Sequence, residues 1–143
     1  MREILFRGKE IGADRWVHGS LDIHKSGVVV IMSEEIVTSI YARVDPDTVG
    51  QFTGLTDKTG KKIFEGDILS IARRMDGMGT YYFPAIEYPV NVVVKWDMCS
   101  WMWETIAEDT RYISFPDAWC HYECEVIGNI HDNPELMEGE RHG

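Results

Sequence analysis

Cys99, Cys120, His121 and Cys124 are side chains of the kinds that bind zinc, which takes thiolate sulfur and imidazole nitrogen at about 2.0 to 2.3 Å. Their spacing argues against a shared ion. From Cys120 to Val126 the chain alternates, with Cys120, Tyr122, Cys124 and Val126 on one face and His121, Glu123 and Glu125 on the other, the period of a half-buried strand. Four strand steps of roughly 3.3 Å then part the two cysteines by about 13 Å and turn His121 away from both. Buried, reduced thiols in a sheet are expected, with no metal and no cofactor.

Other catalytic patterns fail in similar ways. A phosphate loop needs four residues between its glycines and a Ser or Thr after its Lys, but five residues separate Gly54 from Gly60, and Lys61 is followed by Lys62. The Asp57 to Gly60 stretch reads instead as a tight turn whose last residue takes a positive φ. His18, His24 and His131 stand without a nearby Ser or Cys nucleophile signature, and neither His-Glu-x-x-His nor Gly-x-Ser-x-Gly occurs. Asp67 and Asp97 could meet across neighbouring strands as paired carboxylates, yet one sits beside a glycine in a turn and the other at a strand end, where Asp is common. No catalytic residue is assigned.

The aromatic residues carry more signal. Of sixteen Trp, Tyr and Phe, eleven lie beyond residue 75, including Trp96, Trp101, Trp103 and Trp119. Some must fill a core. Trp101 and Trp103 share a strand face, and with Trp119 they are the candidate protein-contact aromatics.

These residues must be held by one chain of 143 residues, 44% hydrophobic and 27% charged, a composition that builds a globular core without disulfides. The net charge is −10. Residues 1–75 hold eleven basic and eleven acidic side chains, and residues 76–143 hold three and thirteen, so the later stretch carries the whole excess. Direct nucleic-acid binding is not expected there, because phosphate contact needs clustered Lys and Arg. The N-terminal residues show no signal-like apolar run, no stretch is long enough for a membrane span, and three cysteines suit a reducing compartment. A cytoplasmic protein is expected.

Strand signals dominate the chain. Val28 to Met32 and Ile36 to Tyr41 are β-branched runs joined by Ser33-Glu34-Glu35, and shorter strands are expected at Ile4 to Arg7 and Trp16 to Leu21. Asp45-Pro46-Asp47 suits a turn or a short helix start. Further strands are expected from Ile68, over Val90 to Asp97, with Val92, Val94 and Trp96 on one face, and over Trp101 to Ile106. Met75 to Pro89 reads as an extended loop or hairpin, and Asn133 to Glu138 as one helical turn.

The strings Arg2-Glu3-Ile4-Leu5-Phe6-Arg7-Gly8-Lys9, Val49-Gly50-Gln51-Phe52-Thr53-Gly54-Leu55-Thr56-Asp57-Lys58, Ile63-Phe64-Glu65-Gly66-Asp67-Ile68 and Cys124-Glu125-Val126-Ile127-Gly128-Asn129-Ile130-His131-Asp132-Asn133-Pro134-Glu135-Leu136 together resemble the YopX family. The resemblance runs in order along nearly the whole chain, with residues 72–120 as the variable part. It implies a phage or prophage origin inside a bacterial host cell and a β-rich fold with an SH3-like barrel. It implies no reaction and no catalytic residue.

The expected fold is therefore mainly β, one YopX-like domain made of an N-terminal β region (1–61), an SH3-like barrel region (62–130) and a short helical turn with a polar tail (131–143). The expected function is a non-enzymatic binding or assembly module that self-associates and contacts a protein partner. Two alternatives come from other classes: an acidic mimic of nucleic acid that blocks a host DNA-acting protein, and a hydrolase using Asp67, Asp97 or His121.

Overall fold

A computed structural model of the chain describes residues 3–34, 39–73, 90–97, 100–105, 113–114 and 122–138. Its strands are β1 (Phe6–Lys9), β2 (Trp16–Ile23), β3 (Val29–Glu34), β4 (Ser39–Arg43), β5 (Gly50–Thr56), β6 (Lys62–Phe64), β7 (Asp67–Arg73), β8 (Val90–Asp97), β9 (Ser100–Thr105), β10 (Ile113–Ser114) and β11 (Tyr122–Asn129). A 3-10 turn at Pro46–Thr48 and one helical turn, α1 (Glu135–Glu138), are the helical elements among the described residues. The fold is mainly β, as the alternation and turn chemistry predict.

Two antiparallel sheets form, with strand orders β4-β3-β2-β1-β5-β6 and β10-β9-β8-β7-β11. Among the described residues neither closes into a barrel, which corrects the expected barrel over residues 62–130 to a coarser description. The chain divides into two compact units, Met1–Gly54 and Leu55–Gly143. The division falls inside β5.

In the first unit, β2 and β3 form a hairpin with Ser20 opposite Met32 and Ile23 opposite Val29, and β3 pairs with β4 through Val30–Arg43 to Glu34–Ser39. The core packs Val17, Val29, Ile31, Ala42 and Val44, with Phe6, Leu21 and Val49 at its margin. Each fully buried aliphatic side chain contributes about 1.5–3 kcal/mol. Asp45 caps the 3-10 turn by accepting the Asp47 N–H at 3.0 Å, and Pro46 supplies a preset φ behind it.

In the second unit, Ile63, Leu69, Ile71, Val92, Val94, Trp101 and Cys124 make the core, with Leu55 and Val126 packed against them. The middle of β8 is covered on both faces, since Val93 is buried as well as Val92 and Val94. Strand β11 alternates as expected: Cys124 is buried, Glu123 exposed and Glu125 half-buried. A register shift between Val126 and Gly128 interrupts the pairing with β7, which resumes with Gly128 opposite Ile68 and Asn129 opposite Asp67. The expected loop over residues 75–89 lies outside the described residues, as do Cys99, Cys120, His121 and Trp119.

Candidate functional site

Antiparallel pairing of β8 with β9 sets Trp96 opposite Trp101. Their ring centroids lie 4.8 Å apart at 74°, an edge-to-face contact that aromatic quadrupoles favour. Trp101 is buried in the core at 8% exposure, whereas Trp96 is 53% exposed. An exposed indole braced edge-on by a buried one has lost rotamer freedom in advance, which suits a contact residue. Of the three aromatics singled out from the sequence, Trp101 is this brace, Trp103 lies on β9 with its side chain outside the described residues, and Trp119 is not described. The exposed ring is Trp96. Its position beside Lys95 and Asp97, where β8 runs out of apolar residues, is the signal that could have found it.

The second unit also holds a buried carboxylate with a full set of partners. Asp57, only 5% exposed, leads the turn between β5 and β6. Its Oδ1 accepts the Thr59 N–H at 2.8 Å, the Thr59 hydroxyl at 2.6 Å and the Lys61 N–H at 2.9 Å. Its Oδ2 accepts the Val126 N–H of β11 at 2.9 Å, across 69 positions of sequence. Gly60 has φ 90°, as this turn requires. Burial pushes the Asp57 carboxyl up, but the hydrogen bonds from the Thr59 hydroxyl and from the Val126, Lys61 and Thr59 amides outweigh it and hold the group below its ordinary range. Burial, and then the nearby Asp57 charge, push the Cys124 thiol up to about 12. That thiol keeps its proton at neutral pH and is a poor nucleophile.

Two strings that carry the family resemblance meet a few residues away. Asp67, 1% exposed, accepts the Phe64 N–H through Oδ2 at 2.7 Å, Gly66 N–H donates to Val94 O at 2.9 Å, and Ile130 N–H donates to Gly66 O at 3.0 Å. Asn129 Oδ1 accepts the His131 and Asp132 amides at 3.0 and 2.9 Å, and Asn133 Oδ1 faces the Asn129 N–H at 3.3 Å. A Cβ at position 128 would sit 2.5 Å from Asn133 Oδ1, so the approach needs glycine. Asp67 thus works as a turn carboxylate. Asn91 Nδ2 completes the arrangement by donating to Leu136 O of α1 at 2.8 Å.

The first unit offers a surface cluster instead. His24 Nε2 lies 3.3 Å from the Tyr41 hydroxyl and 3.5 Å from Asp22 Oδ2, and the Tyr41 hydroxyl donates to Asp22 at 3.3 Å. Desolvation first, and then the Asp22 charge, raise the Tyr41 phenol above its usual range. All three side chains are exposed. A separate depression is lined by Lys9, Glu10, Ile11, Asp14, Asp45 and Pro46, with Lys9 paired to Asp14 at 2.8 Å, and no Ser, Cys or His lines it. Among the described residues no three His, Cys, Asp or Glu side chains gather as metal ligands, and no helix is long and apolar enough to cross a membrane.

The class defined by this geometry is a small, mainly β protein of two antiparallel sheets with turns locked by the buried Asp57 and Asp67 and the half-buried Asn129 and Asn133. The YopX protein family matches residues 6–138, and the chain belongs to that family. Protein EF1440 from Enterococcus faecalis has a similar solved structure, at TM-score 0.55 and 23% identity, covering 96% of this chain and 99% of that one. Protein YopX from Bacillus subtilis is similar at TM-score 0.58 and 17% identity, covering 95% and 98%. At these identities the likeness shows a shared fold. No curated protein matches the chain.

Proposed function

We propose that the protein is a non-enzymatic binding or assembly module that self-associates and contacts a protein partner through the acidic, aromatic-bearing side of its second unit. The observation that carries this reading is the braced Trp96, 53% exposed against a buried Trp101. Interface energy concentrates on such rigid aromatic anchors. Exposed Glu123, Glu135 and Glu138 are described on the same unit, so a partner patch would carry compensating Lys or Arg. The setting is the one the family resemblance implies, a phage or prophage protein in the cytoplasm of a bacterial host. The second unit's sheet, with Leu55 and Ile63 packed on it, supports reading residues 62–130 as an open relative of an SH3-like barrel.

Light scattering over rising concentration tests the self-association. The parent chain is expected to form a defined oligomer, and Trp96→Ala to weaken it about 30-fold or more, a hot-spot loss of about 2 kcal/mol. A parent that stays monomeric up to about 1 mM removes the self-association, since any contact would then be worth less than about 4 kcal/mol.

A further inference from the structure

Among the described residues strand β11 ends the second unit's sheet, with β7 as its paired neighbour. Its other edge is occupied at two positions. Lys58 N–H donates to Cys124 O at 3.0 Å, and Val126 N–H donates to Asp57 Oδ2 at 2.9 Å. One donor and one acceptor set against residues two apart is the bonding that an adjacent antiparallel strand supplies.

That pair of groups is also complementary to itself. An antiparallel second β11, with Glu125 on the two-fold axis, would set each Val126 N–H against the other copy's Cys124 carbonyl and close two hydrogen bonds around the axis. Glu125 opposes this, because two like charges directly across a non-hydrogen-bonded pair repel. In the folded chain Glu125 instead lies 3.7 Å from Lys58 Nζ, on the same turn that fills the edge. An eight-residue edge strand left open would be a template for pairing between chains.

We propose that the turn from Asp57 to Lys61 is an intramolecular plug that mimics a strand and denies the β11 edge to a second copy of this chain. Asp57 locks the plug: three donors on its Oδ1 shape the turn, and its Oδ2 reaches the strand. Lys58 supplies the donor and the cation that Glu125 would lack in a symmetric pair. The latent contact is independent of Trp96, which lies on β8.

The test is made in a Trp96→Ala background, so that any assembly through Trp96 is already removed. Adding D57A and E125Q is expected to produce a concentration-dependent dimer in sedimentation, at least about tenfold tighter than any association of the background. Val126→Pro, which deletes the outward N–H, is expected to abolish that dimer. A folded D57A/E125Q chain, with unchanged circular dichroism, that keeps its monomer mass overturns the proposal, and so does a dimer that survives V126P. If D57A does not fold, hydrogen exchange of the unsubstituted chain decides: the Val126 amide should be protected at every concentration, and exchange as fast as an open amide overturns the plug.

Discussion

The two units bury similar aliphatic sets, Val29, Ile31, Ala42 and Val44 in the first, Leu69, Ile71, Val92 and Val94 in the second, but they tie distant strands together with different polar chemistry. In the first unit the buried Thr48 hydroxyl accepts the Lys9 N–H at 2.9 Å and donates to Asp45 O at 2.6 Å, a neutral link between β1 and the 3-10 turn. In the second unit the equivalent work falls to the ionised Asp57. A charged acceptor makes stronger hydrogen bonds than a hydroxyl, and its loss strands more donors. The second unit should therefore answer to pH and to single polar substitutions more sharply than the first.

The widest separation is expected between Asp57→Ala and Thr48→Ala. Urea titration should show Asp57→Ala costing about 3–4 kcal/mol, since several charge-assisted bonds go and the Val126 amide loses its acceptor, against about 1 kcal/mol for Thr48→Ala. Equal losses would erase the distinction between the units. The acid range sharpens it further. Because the folded Asp57 carboxyl titrates below its unfolded value, its stabilisation is present above the unfolded pKa of about 3.9 and is lost as pH falls through the folded one. Asp57→Asn should flatten the acid limb of the stability curve.

A smaller loss, about 2 kcal/mol, is expected for Gly128→Ala, which drives a Cβ into Asn133 and opens the Asn129 clasp, read as a lower urea midpoint with an unchanged m-value. Next comes the alkaline limb. The Cys124 thiol is held neutral in the fold up to about 12, so its contribution is intact below the unfolded thiol pKa and declines as pH rises toward the folded one. By pH 10 the parent should lose about 1–2 kcal/mol that Cys124→Ala does not lose, comparing pH slopes rather than absolute stabilities. The smallest effect belongs to the exposed cluster of the first unit. Tyr41→Phe should leave the urea midpoint essentially unchanged, and a clear drop in the same titration would show that surface cluster to be a structural tie after all.

Much of this fold is legible in short stretches of sequence. The alternation from Cys124 to Val126, the β-branched run at Val29 to Met32 and the capped Asp45-Pro46-Asp47 turn all appear where local pattern puts them, and Gly60 has the positive φ that its turn demands. Two features of the candidate site were less accessible. The aromatic excess beyond residue 75 pointed to a contact surface, but face parity alone grouped Trp96 with Val92 and Val94 and left its exposure undecided. Asp57 read as a turn residue, and its bond to Val126 lies 69 positions away, beyond any periodicity.

Side-chain period and turn chemistry act over a few residues, so strands, turns and the burial of the described thiol, Cys124, could be read from local pattern. Which described strand ends the second sheet, which of two facing indoles meets solvent, and which distant amide completes a buried carboxylate emerge only from the folded arrangement. Each of these depends on hydrogen bonds and packing between segments whose separation along the chain carries no local signature.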